Sequence, residues 1–126
     1  NIQRELWRKL LINNGVNPLS ALTGLDTKAL TSDPVHKQVV YKMMEEAAHA
    51  AQHDGVEITK DDVNEMFTLI SEFDAIKTSM LVDREKGRPL ELDGITGAVL
   101  RRSQSDEKTL MTAFISTLLQ AQYECR

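Results

Sequence analysis

Cysteine is almost missing here. Cys125 is the single one in 126 residues, so no internal disulfide forms and stability rests on packing. That scarcity suits a reducing compartment, and the cytoplasm is the expected location. No apolar run approaches the roughly 18 residues of a membrane helix, so no membrane partner is expected. No charged-then-apolar leader precedes the first helical pattern, and a first residue of Asn1 rather than Met is expected to mark an excised piece. Basic excess is absent too: 15 Lys and Arg against 19 Asp and Glu give a net charge of -4, which disfavours nucleic acid as a partner. The six glycines never make G-x-G-x-x-G, and no β-branched strand leads into any of them, so no dinucleotide-binding half is expected within these residues. Strand alternation, internal repeats and low-complexity stretches are likewise lacking.

What is present is an ordinary globular composition, 41% hydrophobic and 27% charged, long enough for one core. The spacing predicts an all-α domain. A first helix carries Trp7 to Val16, with Asn17-Pro18 expected to kink or restart it, because proline lacks the amide and restrains its predecessor. A short turn should end at Gly24, and Asp26 or Thr27 should cap another piece. Ser32 or Asp33 before Pro34 should open a long helix from Val35 to about Asp54, closed by Gly55. Thr59 should cap the next, with Asp61 and Asp62 in its first turn, running to about Thr78 with Val63, Met66, Phe67, Ile70 and Phe73 inward. Ser79 to Gly87 reads as a short helix or turn, Gly87-Arg88-Pro89 as a breaker, and Asp93 to Arg102 as a further helix. Ser105-Asp106-Glu107 should cap a last helix whose Leu110, Met111, Phe114, Leu118 and Leu119 face inward.

Lys9, Asn13 and Asn17 are the candidate functional stripe. Spaced by four, they drift about 40° per step and share one helix face over about 12 Å. Ile2, Leu6, Leu10, Leu11 and Val16 supply the apolar surface expected to bury the helix. Asn13-Asn14-Gly15 puts three poor helix formers in a row, at roughly 0.5–1 kcal/mol each, so helix stability did not select them.

The string Trp7-Arg8-Lys9-Leu10-Leu11-Ile12-Asn13-Asn14-Gly15-Val16-Asn17-Pro18 and the following Leu-Ser-Ala-Leu resemble the first helix of the C-terminal domain of ketopantoate reductase (2-dehydropantoate 2-reductase). That family has a Lys followed by Asn at four and eight residues, then Pro and Leu-x-Ala-Leu. A second block, Ser79-Met80-Leu81, Asp83, Gly87-Arg88, Glu91-Leu92-Asp93 and Gly94 to Val99, resembles the family's Ser-Met-Leu and Glu-x-Asp block in the same order. The likeness runs from Arg4 to about Arg102. Thr96 stands where the family often has Asn, and residues 103–106 lack the usual Gly- and Pro-containing stretch.

The resemblance implies a single helical domain like the C-terminal domain of 6-phosphogluconate dehydrogenase-type reductases. It would form the substrate side of an NADPH-dependent oxidoreductase that converts 2-dehydropantoate to pantoate on the route to pantothenate and coenzyme A. It implies Lys9 as general acid and Glu91 as its partner and a cofactor-ribose contact. Asn13, Asn17 and Ser79 would bind a small 2-oxo acid, and an N-terminal Rossmann domain outside this chain would hold the dinucleotide. The chemistry agrees: an ammonium, protonated at neutral pH, can stabilise and protonate a developing alkoxide. Asn amides offer donors and an acceptor without charge. The isolated piece is expected to be inactive.

Other readings stay open. Asn17 could bond backbone beside Pro18, Ser79 could be a helix cap, Glu91 could pair with Arg88, and Asp93 could cap the next helix. Asn14 matches no functional position and should be exposed. His36, His49 and His53 are expected to face solvent, with no metal, since no third ligand accompanies the pair spaced by four. Glu45 and Glu46 should form a solvated face, with a buried Glu46 near the site as the alternative. The rivals are a related two-domain reductase of another 2-oxo acid, or a non-catalytic helical module forming a homodimer.

Overall fold

A computed structural model describes residues 1–103 and 106–126. The described residues are helical, with one isolated bridge as the sole β-pairing among them. The helices are α1 (Ile2–Thr23), α2 (Thr27–Ser32), α3 (His36–Ala51), α4 (Lys60–Glu72), α5 (Ser79–Glu85), α6 (Ala98–Arg102) and α7 (Leu110–Gln122). Among the described residues no helix is long and apolar enough to cross a membrane.

The fold is arranged around α1. Asn1 starts it by accepting from the amides of Gln3 and Arg4, and Gly24, at φ 80°, ends it in the left-handed conformation a glycine adopts without strain. The expected break at Pro18 does not occur. Every residue from Asn14 to Ala21 is buried, so packing on all sides holds the helix through the amide that proline lacks. Helices α3, α4, α5 and α7 all pack on α1. Its crossing with α3 is close because Gly15 has no side chain: a Cβ there would lie 2.7 Å from Met44 Cγ and 3.3 Å from the Val40 carbonyl oxygen. The glycine that weakens the helix locally is what lets two helices meet.

Several boundaries follow the sequence. Asp26 caps α2, Asp33 accepts from the amides of Val35 and His36 ahead of α3, and Gly55 at φ 72° closes the turn after it. Thr59 and Asp62 form a reciprocal capping box on α4. That helix ends at Glu72 rather than near Thr78, because the chain beyond is drawn onto α2: Thr27 N donates to the Ile76 carbonyl at 3.0 Å, and Lys28 Nζ takes the Ser71 carbonyl at 3.0 Å. Phe73 is left 46% exposed instead of inward.

Three apolar faces are also placed differently. Ile2 and Leu6 are exposed, because the first turns of α1 project beyond the core, and Val35 is exposed ahead of α3. On α7 the buried positions are Thr112, Ile115, Ser116 and Leu119, so Leu110 and Phe114 face outward. Two hydroxyls lie on the buried face because they have partners there: Thr112 Oγ1 accepts from Asn14 and Ser116 Oγ from Thr96. The expected cap at Ser105 lies outside the described residues; the described end of α7 is capped from α3, where Glu46 accepts from the amides of Met111 and Thr112. Glu46 is therefore buried, not solvated.

Candidate functional site

The stripe on α1 descends from surface to interior. Lys9 is exposed, Asn13 half-buried and Asn17 buried, because α1 enters the core towards its C-terminal half. Among the described residues none of these three side chains has a hydrogen-bond or ion-pair partner. Asn17 does not bond backbone beside Pro18, and its amide atoms are not among those sealed from the surface. Lys9 borders a shallow depression of about 360 Å³ with Asn1, Ile2, Glu5 and Leu6.

Asn14, expected to be exposed, is fully buried one helical step away. Its Nδ2 donates to the Met43 carbonyl at 2.9 Å and to Thr112 Oγ1 at 3.2 Å, tying α1 to α3 and α7. Rotation of α1 about its axis would break both bonds, so the azimuth of the neighbouring stripe is fixed.

The second block packs against α1 through α5 and through a π-turn, Asp93–Gly97. Thr78, not Ser79, caps α5, its Oγ1 accepting from the Leu81 amide at 3.1 Å. Ser79 stands exposed at the first helical position, its hydroxyl without a protein partner among the described residues. Asp93 is not a cap either: it accepts from Arg101 Nη1 at 2.6 Å. Thr96 is buried and donates to the Leu92 carbonyl and Ser116, so it is a packing residue inside the π-turn.

Glu91 lies between two buried leucines in an extended segment, so period-two alternation points it outward. Its ion-pair partner is Arg126, Nε to Oε2 at 3.2 Å, while Arg88 pairs with Asp83. No hydrogen bond or ion pair joins Glu91 to Lys9 in this state. Arg126 went unread in the sequence; the in-out-in pattern Leu90-Glu91-Leu92 was the one available sign of paired extended chain. Gly94 sits beside the carboxylate, where a Cβ would stand in ordinary contact, 3.4 Å from Glu91 Oε1.

Charge elsewhere holds the frame. Asp62, buried, accepts from Arg4 and from Arg8 Nη1, the latter at 2.5 Å, and fastens the first half of α1 to α4. Burial raises its carboxyl, but the Thr59 hydrogen bonds and the two arginines outweigh that and hold it below the usual range. His36 pairs with Asp33, whereas His49 is half-buried rather than solvent-facing. Burial pushes the His49 ring down, with His53 and Lys108 adding to it against Glu46. Among the described residues no three His, Cys, Asp or Glu side chains are grouped to hold a metal ion. A cavity of about 380 Å³ between the π-turn and α7 is lined by Thr96, Ser116, Cys125 and Arg126 among others, and none of the five candidate residues borders it.

Lys9, Asn13, Asn17 and Ser79 thus offer an ammonium, two amides and a hydroxyl without protein partners among the described residues, donors suited to a small oxygen-rich anion, whereas the Glu91 carboxylate is engaged by Arg126. The family model for the ketopantoate reductase PanE/ApbA C terminal matches residues 1–122. A 2-dehydropantoate 2-reductase of Mesorhizobium japonicum is 36% identical over 99 residues, covering 79% of this chain and 30% of that protein. Among solved structures, the dimeric ketopantoate reductase from Staphylococcus aureus superposes with a TM-score of 0.86 at 28% identity, covering 96% of this chain and 43% of that one. A D-mandelate dehydrogenase with NADH and anilino(oxo)acetate gives a TM-score of 0.82 at 26% identity, with 96% and 41% covered. The chain spans about a third of the length of the curated relatives it matches. It belongs to the ketopantoate reductase family and corresponds to the helical C-terminal domain of that family.

Proposed function

We propose that these residues form the substrate side of an NADPH-dependent reductase of 2-dehydropantoate, completed by a nucleotide-binding domain on the N-terminal side. The observation that carries this reading is the contrast on α1: the Asn14 Nδ2 is spent on two acceptors inside, while Lys9, Asn13 and Asn17 keep unpartnered polar groups on one face. A reduced nicotinamide, when bound, supplies the hydride. The Lys9 ammonium hydrogen-bonds the substrate carbonyl oxygen and delivers the proton as charge develops there. Asn13 and Asn17 hold the hydroxyl and carboxylate, Ser79 donates to the carboxylate, and Glu91 turns towards Lys9 while accepting from a ribose hydroxyl beside Gly94. These residues alone include no glycine-rich phosphate cradle, so the chain in isolation is inactive, and the complete enzyme works in the cytoplasm.

The test is NADPH oxidation by the chain joined to its nucleotide-binding domain, with 2-dehydropantoate and other 2-oxo acids as substrates. Lys9→Ala should lower kcat by about 100-fold or more, and Asn17→Ala should act mainly through KM. A Lys9→Ala protein turning over at the normal rate would sink the assignment, and faster turnover of another oxo acid would move the substrate but not the mechanism. A second reading concerns assembly. Leu110 and Phe114 lie one turn apart on the outer face of α7, 62% and 55% exposed, which favours a homodimer through that helix. Sedimentation of Phe114→Glu against the parent decides it.

A further inference from the structure

The extended residues after Pro89 have no helix in which to satisfy their backbone, and residues 124–126 satisfy it instead. Leu90 N donates to the Glu124 carbonyl at 2.9 Å and Arg126 N to the Leu90 carbonyl at 2.8 Å. The Arg126 backbone oxygen accepts from Leu92 N and Asp93 N at 2.7 and 2.8 Å. Leu90 and Leu92 are sealed in the core on either side of Glu91, and the Arg126 guanidinium closes on the Glu91 carboxylate.

The other end of this short segment is anchored as well. The Arg84 guanidinium lies over the Tyr123 ring, 5.4 Å from its centroid, and Arg84 Nη1 donates to the Ala21 carbonyl at 2.9 Å. Ala21 is in the last turn of α1, where carbonyls lack intrahelical partners and the helix dipole attracts a cation. Arg84 belongs to α5, the helix that Ser79 opens. One contiguous set of contacts therefore runs from the helix of Lys9, Asn13 and Asn17, through the helix of Ser79, to the segment of Glu91.

We infer that residues 123–126 are a clasp that positions Glu91, with Arg126 as its side-chain contact and Arg84 as its anchor to α1. The inference rests on the reading of Glu91 as partner of Lys9. Arg126 is a positioning residue: it sets the carboxylate's direction until substrate and Lys9 compete for it, and the four backbone bonds keep the loop from swinging away.

Hydrogen exchange tests the clasp directly. In a chain ending at Tyr123, the amides of Leu90 and Asp93 should exchange at least about tenfold faster, because their acceptors at Glu124 and Arg126 are gone, and Leu92, which keeps the Leu90 carbonyl, should change less. The amides of Leu11 and Met43 should keep their protection. Unchanged exchange at Leu90 and Asp93 overturns the clasp. Arg126→Ala, which keeps the backbone pairing, serves if the shortened chain fails to fold. In the protein carrying the nucleotide-binding domain it should lower kcat about tenfold with little change in KM for the oxo acid, and Arg126→Lys should restore most of that loss. Glu91→Gln is run beside it. Slow Glu91→Gln with full-speed Arg126→Ala overturns the clasp's positioning role, whereas full-speed Glu91→Gln overturns the reading of Glu91 itself while leaving the exchange result standing.

Discussion

Glu46, in the middle of α3, accepts from the backbone amides of Met111 and Thr112 at 3.1 and 2.6 Å, so one helix caps the start of another 65 residues away. A local cap uses the residue before the helix; here the carboxylate reaches across the core and meets the positive end of the α7 dipole. Glu46→Ala should therefore cost about 2 kcal/mol, since it strips a charged acceptor and leaves two amides in a buried place. Glu46→Gln, with one oxygen kept and the charge gone, should cost about half as much. Urea unfolding reads both, and an unaltered midpoint in Glu46→Ala would show that the amides find other partners.

Gly15 gives a prediction of opposite sign to helix propensity. Replacing glycine by alanine inside a helix ordinarily stabilises by up to about 1 kcal/mol. Here the added methyl would meet Met44 Cγ at 2.7 Å and the Val40 carbonyl at 3.3 Å; the side chain can shift, but the backbone can do so only by parting α1 from α3. Overpacking of this kind costs about 1–3 kcal/mol, so Gly15→Ala should be net destabilising by about 1 kcal/mol. A raised melting temperature would mean that the crossing is looser than these distances.

Local structure was legible where one residue's chemistry decides it. Gly24, Gly55, Asp26 and Thr59 sit at the boundaries their types dictate, and the all-α class follows from spacing alone. What could not be read depends on partners remote in sequence. Pro18 stays helical because its surroundings bury it, Glu46 and Asn14 are inside because amides and a carbonyl from other helices receive them, and Thr112 and Ser116 turned the expected face of α7. The candidate stripe was legible as a periodicity, and the five residues were named as candidates through family likeness alone. The clasp at 124–126 was not legible, since its pairing is between backbones 34 residues apart and leaves no side-chain pattern beyond Leu90-Glu91-Leu92.

Asp62 should make stability fall in acid. Its carboxyl is held below the usual range in the folded chain, so its contribution is complete above the unfolded value of about 3.9 and is lost as pH falls through the folded value. Asp62→Asn removes the charge that Arg4 and Arg8 meet but keeps the size, and should cost about 2 kcal/mol at pH 7. The gap between the two proteins should narrow below about pH 4, because protonation does to the parent what the substitution does permanently. Urea unfolding at pH 7, 5 and 3 gives the comparison; a gap constant across that range would assign the loss to packing.

Cys125 reports on the clasp from within it. Burial pushes its thiol above the ordinary value, and its Sγ lies half-covered with the Tyr123 carbonyl at 3.5 Å. Thiolate is the reactive form, so both effects slow alkylation. At pH 8 the folded chain should react with iodoacetamide about tenfold more slowly than a cysteine peptide, and the difference should vanish in concentrated urea. Arg84→Ala, which removes the anchor at Tyr123, should recover part of the lost rate, since loosening of 123–126 exposes the sulfur and returns the thiol towards its ordinary range. A peptide-like rate in the folded parent would mean that the segment is open in solution, and Glu91 would then be held by its own loop and not by the pairing at Leu90 and Leu92.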